Sequence, residues 1–182
     1  MSAHPSLDYL AAATAQKIID ITDKKVKARD LENLVTKALG VLQSQGVYAM
    51  ALFLFSRSGQ ETRCNNMKGE QRIAVQILAE LLSLIGNHGL EKLITPGPEA
   101  VSFNGNVAPC IENSESEKEK SINAQKDKIL SSFASLTEDL DSLLLVRDLF
   151  EQTLIYTRYL AKASQEDEEK AREESGGGGD GG

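Results

Sequence analysis

The sequence predicts an all-α protein, a compact antiparallel bundle of five to seven helices. Apolar residues recur three and four positions apart in several separate stretches, which is the period of one helix face. Aromatics make up only 5% of the 182 residues and Trp is absent, so the core must be built from Leu, Ile and Ala. Those residues suit packed helices better than a β-sandwich. A hydrophobic content of 41% against 26% charged residues suffices for one packed core. The expected domain is residues 1–164, followed by an acidic, Gly-rich tail over residues 165–182 that buries nothing and is expected to be disordered.

Taken in order, Ser6 is placed to cap a first helix, with Pro5 marking the entry. Leu7, Leu10, Ala11, Thr14, Ile18 and Ile21 make its stripe. A polar, mainly basic connection follows, with Lys24, Lys25, Lys27 and Arg29. It reads either as a solvated loop or as an edge that contacts phosphates.

Residues 30–57 are the stretch the chain is organised around. Leu31, Leu34, Val35, Ala38, Leu39 and Leu42 share one helix face, and Gln45-Gly46 ends that helix, because Gly takes a left-handed conformation without a Cβ penalty. Residues 47–55 are apolar at every position. A buried strand is the rival reading, but Ala49, Met50, Ala51, Leu52 and Leu54 favour a helix. A helix apolar all round is expected to be enclosed.

A turn-rich linker over residues 58–69 then leads to an amphipathic helix over residues 70–85. Its buried side is Ile73, Ile77, Leu78, Leu81, Leu82 and Ile85. Residues 95–124 hold Pro, Gly and a Ser/Glu/Lys run, and read as an exposed, irregular loop. Residues 125–133 are expected to be helical. Thr137 is expected to cap the last and longest helix, over residues 137–164, with acids in its first turns and Arg158 and Lys162 near its end, as the helix dipole favours.

No apolar run reaches a membrane span, and no basic region precedes the apolar residues of a secretory leader, so a cytoplasmic protein is expected. Cys64 and Cys110 follow no metal spacing and read as reduced thiols. His4 and His88 lack ligand neighbours at metal spacing. No nucleophile elbow or phosphate-binding Gly-rich motif is present. No enzyme activity, metal or cofactor is therefore expected. Met50, Phe53 and Phe55 read as core rather than a ligand pocket. Tyr156 and Tyr159 beside Arg158 read either as ordinary helix packing or as a base-stacking platform.

Net charge is −7, but it is unevenly spread: residues 1–94 carry +2, residues 95–128 carry −2 and residues 129–182 carry −7. A fold with this distribution can show a basic face although the chain is acidic.

Two stretches carry a family resemblance. LENLVTKALGVLQSQGVYAMALFLFSR resembles the signature of the small helical subunit of type III-B CRISPR effectors, the Cmr complexes. There a helix leads to a Gly and then to a second apolar helix with a basic end, matched here by Gly46, Phe53-Leu54 and Arg57. DLDSLLLVRDLFEQTLIYTRYLAKA resembles that family's last helix, with Tyr156, Arg158, Leu160 and Ala161 fitting and Tyr159 standing where a second basic residue is usual. The resemblance covers about 120 residues in matching order.

It implies a non-catalytic subunit that stacks in several copies along crRNA and target RNA, contacts the backbone subunits and bridges to the large subunit. RNA contact would run through phosphates without sequence preference. The candidate cations are Lys17, Lys24, Lys25, Lys27, Arg29, Arg57, Arg63, Arg72, Arg158 and Lys162, with Arg57 and Arg158 at the matched motif ends. Two alternatives stay open: the small subunit of a type III-A complex, and a helical adaptor that binds only protein, using residues 95–124.

Overall fold

A computed structural model describes residues 6–22, 26–58, 69–87, 130, 133–134 and 138–176. The described residues form an all-α bundle with no strand. It has five helices: α1 (Leu7–Thr22), α2 (Ala28–Gln45), α3 (Val47–Ser58), α4 (Gly69–Asn87) and α5 (Leu140–Gly176). Lys24, Lys25, Arg63, Thr137, both Cys, both His and the loop expected over 95–124 lie outside the described residues.

α1 starts where its capping residue predicts. The Tyr9 N–H donates to Ser6 Oγ at 3.2 Å, satisfying one of the amides a helix start leaves open. Leu10, Ala11, Thr14, Ala15, Ile18 and Ile19 are buried, whereas Leu7 is exposed. All six stripe residues of α2 are buried, from Leu31 to Leu42. α2 ends at Gly46, whose φ is +89° and ψ −176°. That conformation is extended rather than left-handed helical in ψ, and belongs to a region essentially reserved for Gly. Gly46 alone links α2 to α3, and its N–H closes α2 by donating to Leu42 O at 3.0 Å.

Residues 47–55 are helical, as α3, but they are not enclosed all round. Val47, Met50, Ala51 and Leu54 face inward, while Tyr48 and Leu52 are 38% and 43% exposed. The one-residue link holds α3 at the edge of the bundle, where α4 and α2 cover one side of it. The enclosed helix is α4. It packs on α3, α1 and α2, and Ile73, Gln76, Leu78, Ala79, Leu82 and Leu84 are buried around its circumference.

α5 lies against both α1 and α2. Gln43, near the end of α2, bonds Glu151, and Gln165 bonds Glu32, near the start of α2, so α2 and α5 run antiparallel. α1 runs parallel to α5: Asp8 at its start meets Gln152 and Tyr156, and its end joins α2 beside Gln165 through a five-residue connection. The chain thus reverses from α1 to α2, while α1 and α5 lie parallel. Small residues let these helices approach. Thr153, Thr157 and Ala161 are buried along α5. The two hydroxyls donate to Leu149 O and Thr153 O at 2.8 Å, so neither is buried unsatisfied.

The ends of α5 differ from expectation. Asp139, not Thr137, caps it, accepting from the Ser142 N–H at 3.1 Å and from the Ser142 hydroxyl. The helix also continues twelve residues past 164, to Gly176. Residues 165–174 are mostly Glu, Lys, Ala and Arg, all strong helix formers, with Glu166 and Glu168 four places before Lys170 and Arg172. High charge prevents burial but does not prevent helix, and the helix stops where the glycine run starts. Ahead of α5, Leu130, Phe133 and Ala134 are helical, and Phe133 meets Phe150 edge-on, with ring centroids 6.3 Å apart.

Gly40 and Gly46, inside and at the end of α2, give opposite expectations. A Cβ at Gly40, inside α2, meets nothing within 4 Å, so Gly40→Ala should stabilise by about 0.5–1 kcal/mol. Gly46→Ala should destabilise by about 1–3 kcal/mol through its backbone conformation. Urea titration of the two variants, followed by helical circular dichroism, checks both signs.

Candidate nucleic-acid interface

The candidate cations fall into two sets. On the α1/α3/α4 side they are already engaged. Arg57, at the end of α3, pairs with Glu70 Oε1 at 3.2 Å, and its guanidinium lies 5.4 Å from the centroid of the Phe53 ring. Arg57 therefore staples the end of α3 to the start of α4. Arg72 is half-buried and has an interaction of its own. Lys17, exposed on α1, acts electrostatically on Glu80 of α4.

On the α2/α5 side the cations stand free. Lys27 and Arg29 open α2, and Arg158 and Lys162 lie on α5, all four exposed. Lys37 joins them on the outer side of α2; the sequence reading passed it over, although it sits opposite the apolar stripe. None of these five side chains forms an ion pair or hydrogen bond with another described residue.

The register of α5 places Arg158. Glu151, Arg158 and Gln165 are seven residues apart, so they share one flank of the helix. Glu151 meets Gln43 at 2.7 Å and Gln165 meets Glu32 at 2.9 Å. Arg158 therefore stands midway along the same seam, level with Thr36 and Gly40 of α2. Gly40 leaves open space there, since nothing lies within 4 Å of a Cβ built on it. Lys162 is one turn further along α5. Arg29 and Lys37 are eight residues apart on α2, about 12 Å along its outer side.

Arg147 is a second cation that sequence reading missed. It is half-buried, and its Nη2 donates to Gln43 O at 3.3 Å, at an otherwise open carbonyl of the last turn of α2. Its role is to pin α5 to the end of α2.

Chemically, the seam offers point charges from lysines and a planar fork from Arg158, all suited to phosphate oxygens. Acids bound it: Glu151 and Glu166 lie at its two ends on α5, and Asp30 is exposed on α2. Among the described residues, no group of three or more His, Cys, Asp or Glu is placed to hold a metal ion. No described helix is long and apolar enough to cross a membrane. What the fold and this surface define is an all-α protein with a cation-bearing helix pair. Set against family models, curated proteins and solved structures, the chain matches none.

Glu80 of α4 has a displaced titration. Burial raises its pKa, partly offset by the Lys17 charge and by the Gln76 Nε2 donor at 2.9 Å. A carboxyl held above its unfolded value costs stability when ionised, so the cost is full above the raised pKa and absent below the ordinary glutamate range. Glu80→Gln should therefore raise the melting temperature at pH 7, with the gain shrinking as pH falls through that window. Thermal melts across pH 3.5–8, a range chosen on the order of the ordinary glutamate titration, test it.

Proposed function

We propose that this chain is a non-catalytic small subunit of a type III-B CRISPR RNA-guided effector complex, acting in the cytoplasm. It stacks in several copies along the crRNA–target RNA duplex and bridges to the large subunit, with RNA cleavage left to neighbouring subunits. The observation that carries this reading is the free cation set on α2 and α5, in a chain whose net charge is −7. An acidic protein that keeps five unpaired cations on two adjoining helices has a surface suited to a polyanion. The resemblance of residues 31–57 and of the last helix to the Cmr small subunit names the polyanion as guide-bound RNA. Contacts through phosphates suit that role, because base pairing does the reading and the protein must be indifferent to sequence.

The pairing of Arg57 with Glu70 changes the weight given to the two motif-end arginines. Arg158 leads the contact set, with Lys162, Arg29, Lys27 and Lys37. Arg57 and Lys17 contribute less, because Glu70 and Glu80 share their charge, and so does Arg72, which is half-buried with an interaction of its own.

A helical adaptor that binds only protein is the second reading. The exposed Tyr48 and Leu52 on α3 favour it, since paired apolar side chains on one helix face suit a protein partner. A type III-A small subunit would share the same helical design.

The double variant Arg158→Ala/Lys162→Ala should weaken RNA binding evenly across sequences and lower the salt slope by about 1.5, the loss of two phosphate contacts. Arg57→Ala should have a smaller effect. Filter binding of the assembled complex over a range of salt concentrations reads both. No RNA recovered with the complex, or an unchanged slope in the double variant, would favour the adaptor.

A further inference from the structure

Two tyrosines one turn apart on α5 have different circumstances. Tyr156 is half-buried, donates its hydroxyl to Asp8 and accepts from Gln152 Nε2 at 2.8 Å. It belongs to the joint between α1 and α5. Tyr159 is 66% exposed and makes no hydrogen bond to a described residue. On a helix a long side chain leans toward the preceding turn, here over the half-buried Ile155. At 66% exposure the Tyr159 ring stands largely open to solvent.

The charge around that ring is one-sided. Residues 152–165 contain no acid and two cations, Arg158, the preceding residue and about 100° round the helix from Tyr159, and Lys162, one turn on. On the neighbouring helices Asp8 is engaged by Tyr156 and Gln152, and Glu32 by Gln165. Glu151 is held by Gln43, and Glu166 follows at the far end.

An open aromatic face with two cations within a turn selects its ligand. The two like charges repel a cationic side chain that might stack on the ring. An acidic peptide would use the cations and leave the ring in water. A duplex offers phosphates, but its bases are stacked inside. An unpaired nucleotide uses all three groups, because every base has a π-face and carries phosphates on both sides. We infer that Tyr159 is a stacking platform for one unpaired RNA base, with Arg158 and Lys162 holding the flanking phosphates. The inference rests on the RNA-binding reading and adds to the phosphate contacts, which duplex and single strand both offer, a base contact that only an unpaired nucleotide supplies.

The test uses the full chain with a fluorescent single-stranded octanucleotide RNA and a blunt RNA duplex, each titrated by anisotropy. Tyr159→Ala should weaken single-strand binding about ten-fold and leave duplex binding unchanged, while Tyr159→Phe keeps both. Because the chain has no Trp, tyrosine emission is directly readable, and the part quenched by the single strand should vanish in Tyr159→Ala. Equal loss on both RNAs, or no loss on either, overturns the stacking role. The RNA-binding reading survives that result if Arg158→Ala/Lys162→Ala still weakens both. Absence of salt-dependent binding to either RNA by the wild-type chain overturns the inference together with the reading beneath it.

Discussion

The structure depends on the seating of α5 against α1 and α2. Burial of apolar surface drives that contact without direction, and three polar joints around α5 give it a register. Asp8 takes Tyr156 and Gln152 from the α1 side. Gln43 engages both Glu151 and Arg147 at one end of α2, and Glu32 engages Gln165 at the other. Each joint is modest alone, since exposed hydrogen bonds contribute little net free energy. Their value is positional: a turn of slippage would break all three. Because the register is fixed, Arg158, Tyr159 and Lys162 stand at defined heights over α2, and the surface they form is a property of the fold.

The bundle and most of its core could be read from periodicity alone. The α2 stripe is buried residue for residue, and Ser6 caps where its position implies. Other features could not be read because they depend on neighbours. An apolar run such as residues 47–55 says that the helix has much apolar surface, not how many sides other helices will cover. Placement at the edge left Tyr48 and Leu52 open, while α4, with a less uniform sequence, became the enclosed helix. The end of α5 failed for a different reason. Acidity alone does not make a tail disordered, because helix formation asks only for local propensity and suitably spaced charges. The candidate interface was half legible. Cation identity is visible in a sequence, but whether a cation is free depends on partners brought in by the fold, as with Arg57 and Glu70.

That distinction between free and engaged cations bears on how an acidic chain can meet a polyanion. Net charge governs interaction at distances beyond a Debye length, about 8 Å at physiological ionic strength. Inside that range the arrangement of individual groups decides. Here many of the acids near the α2/α5 seam are tied to side-chain amides, and a carboxylate whose oxygens accept hydrogen bonds is less available to compete for a lysine or arginine. Gln43 and Gln165 thus act on the electrostatics of the seam without carrying charge. A glutamine, unlike a lysine, occupies the carboxylate without neutralising it. The surface therefore keeps anions that repel RNA at long range and cations that remain free at contact. A polyanion brought within that range meets the free cations directly, which is the contact the proposed role requires.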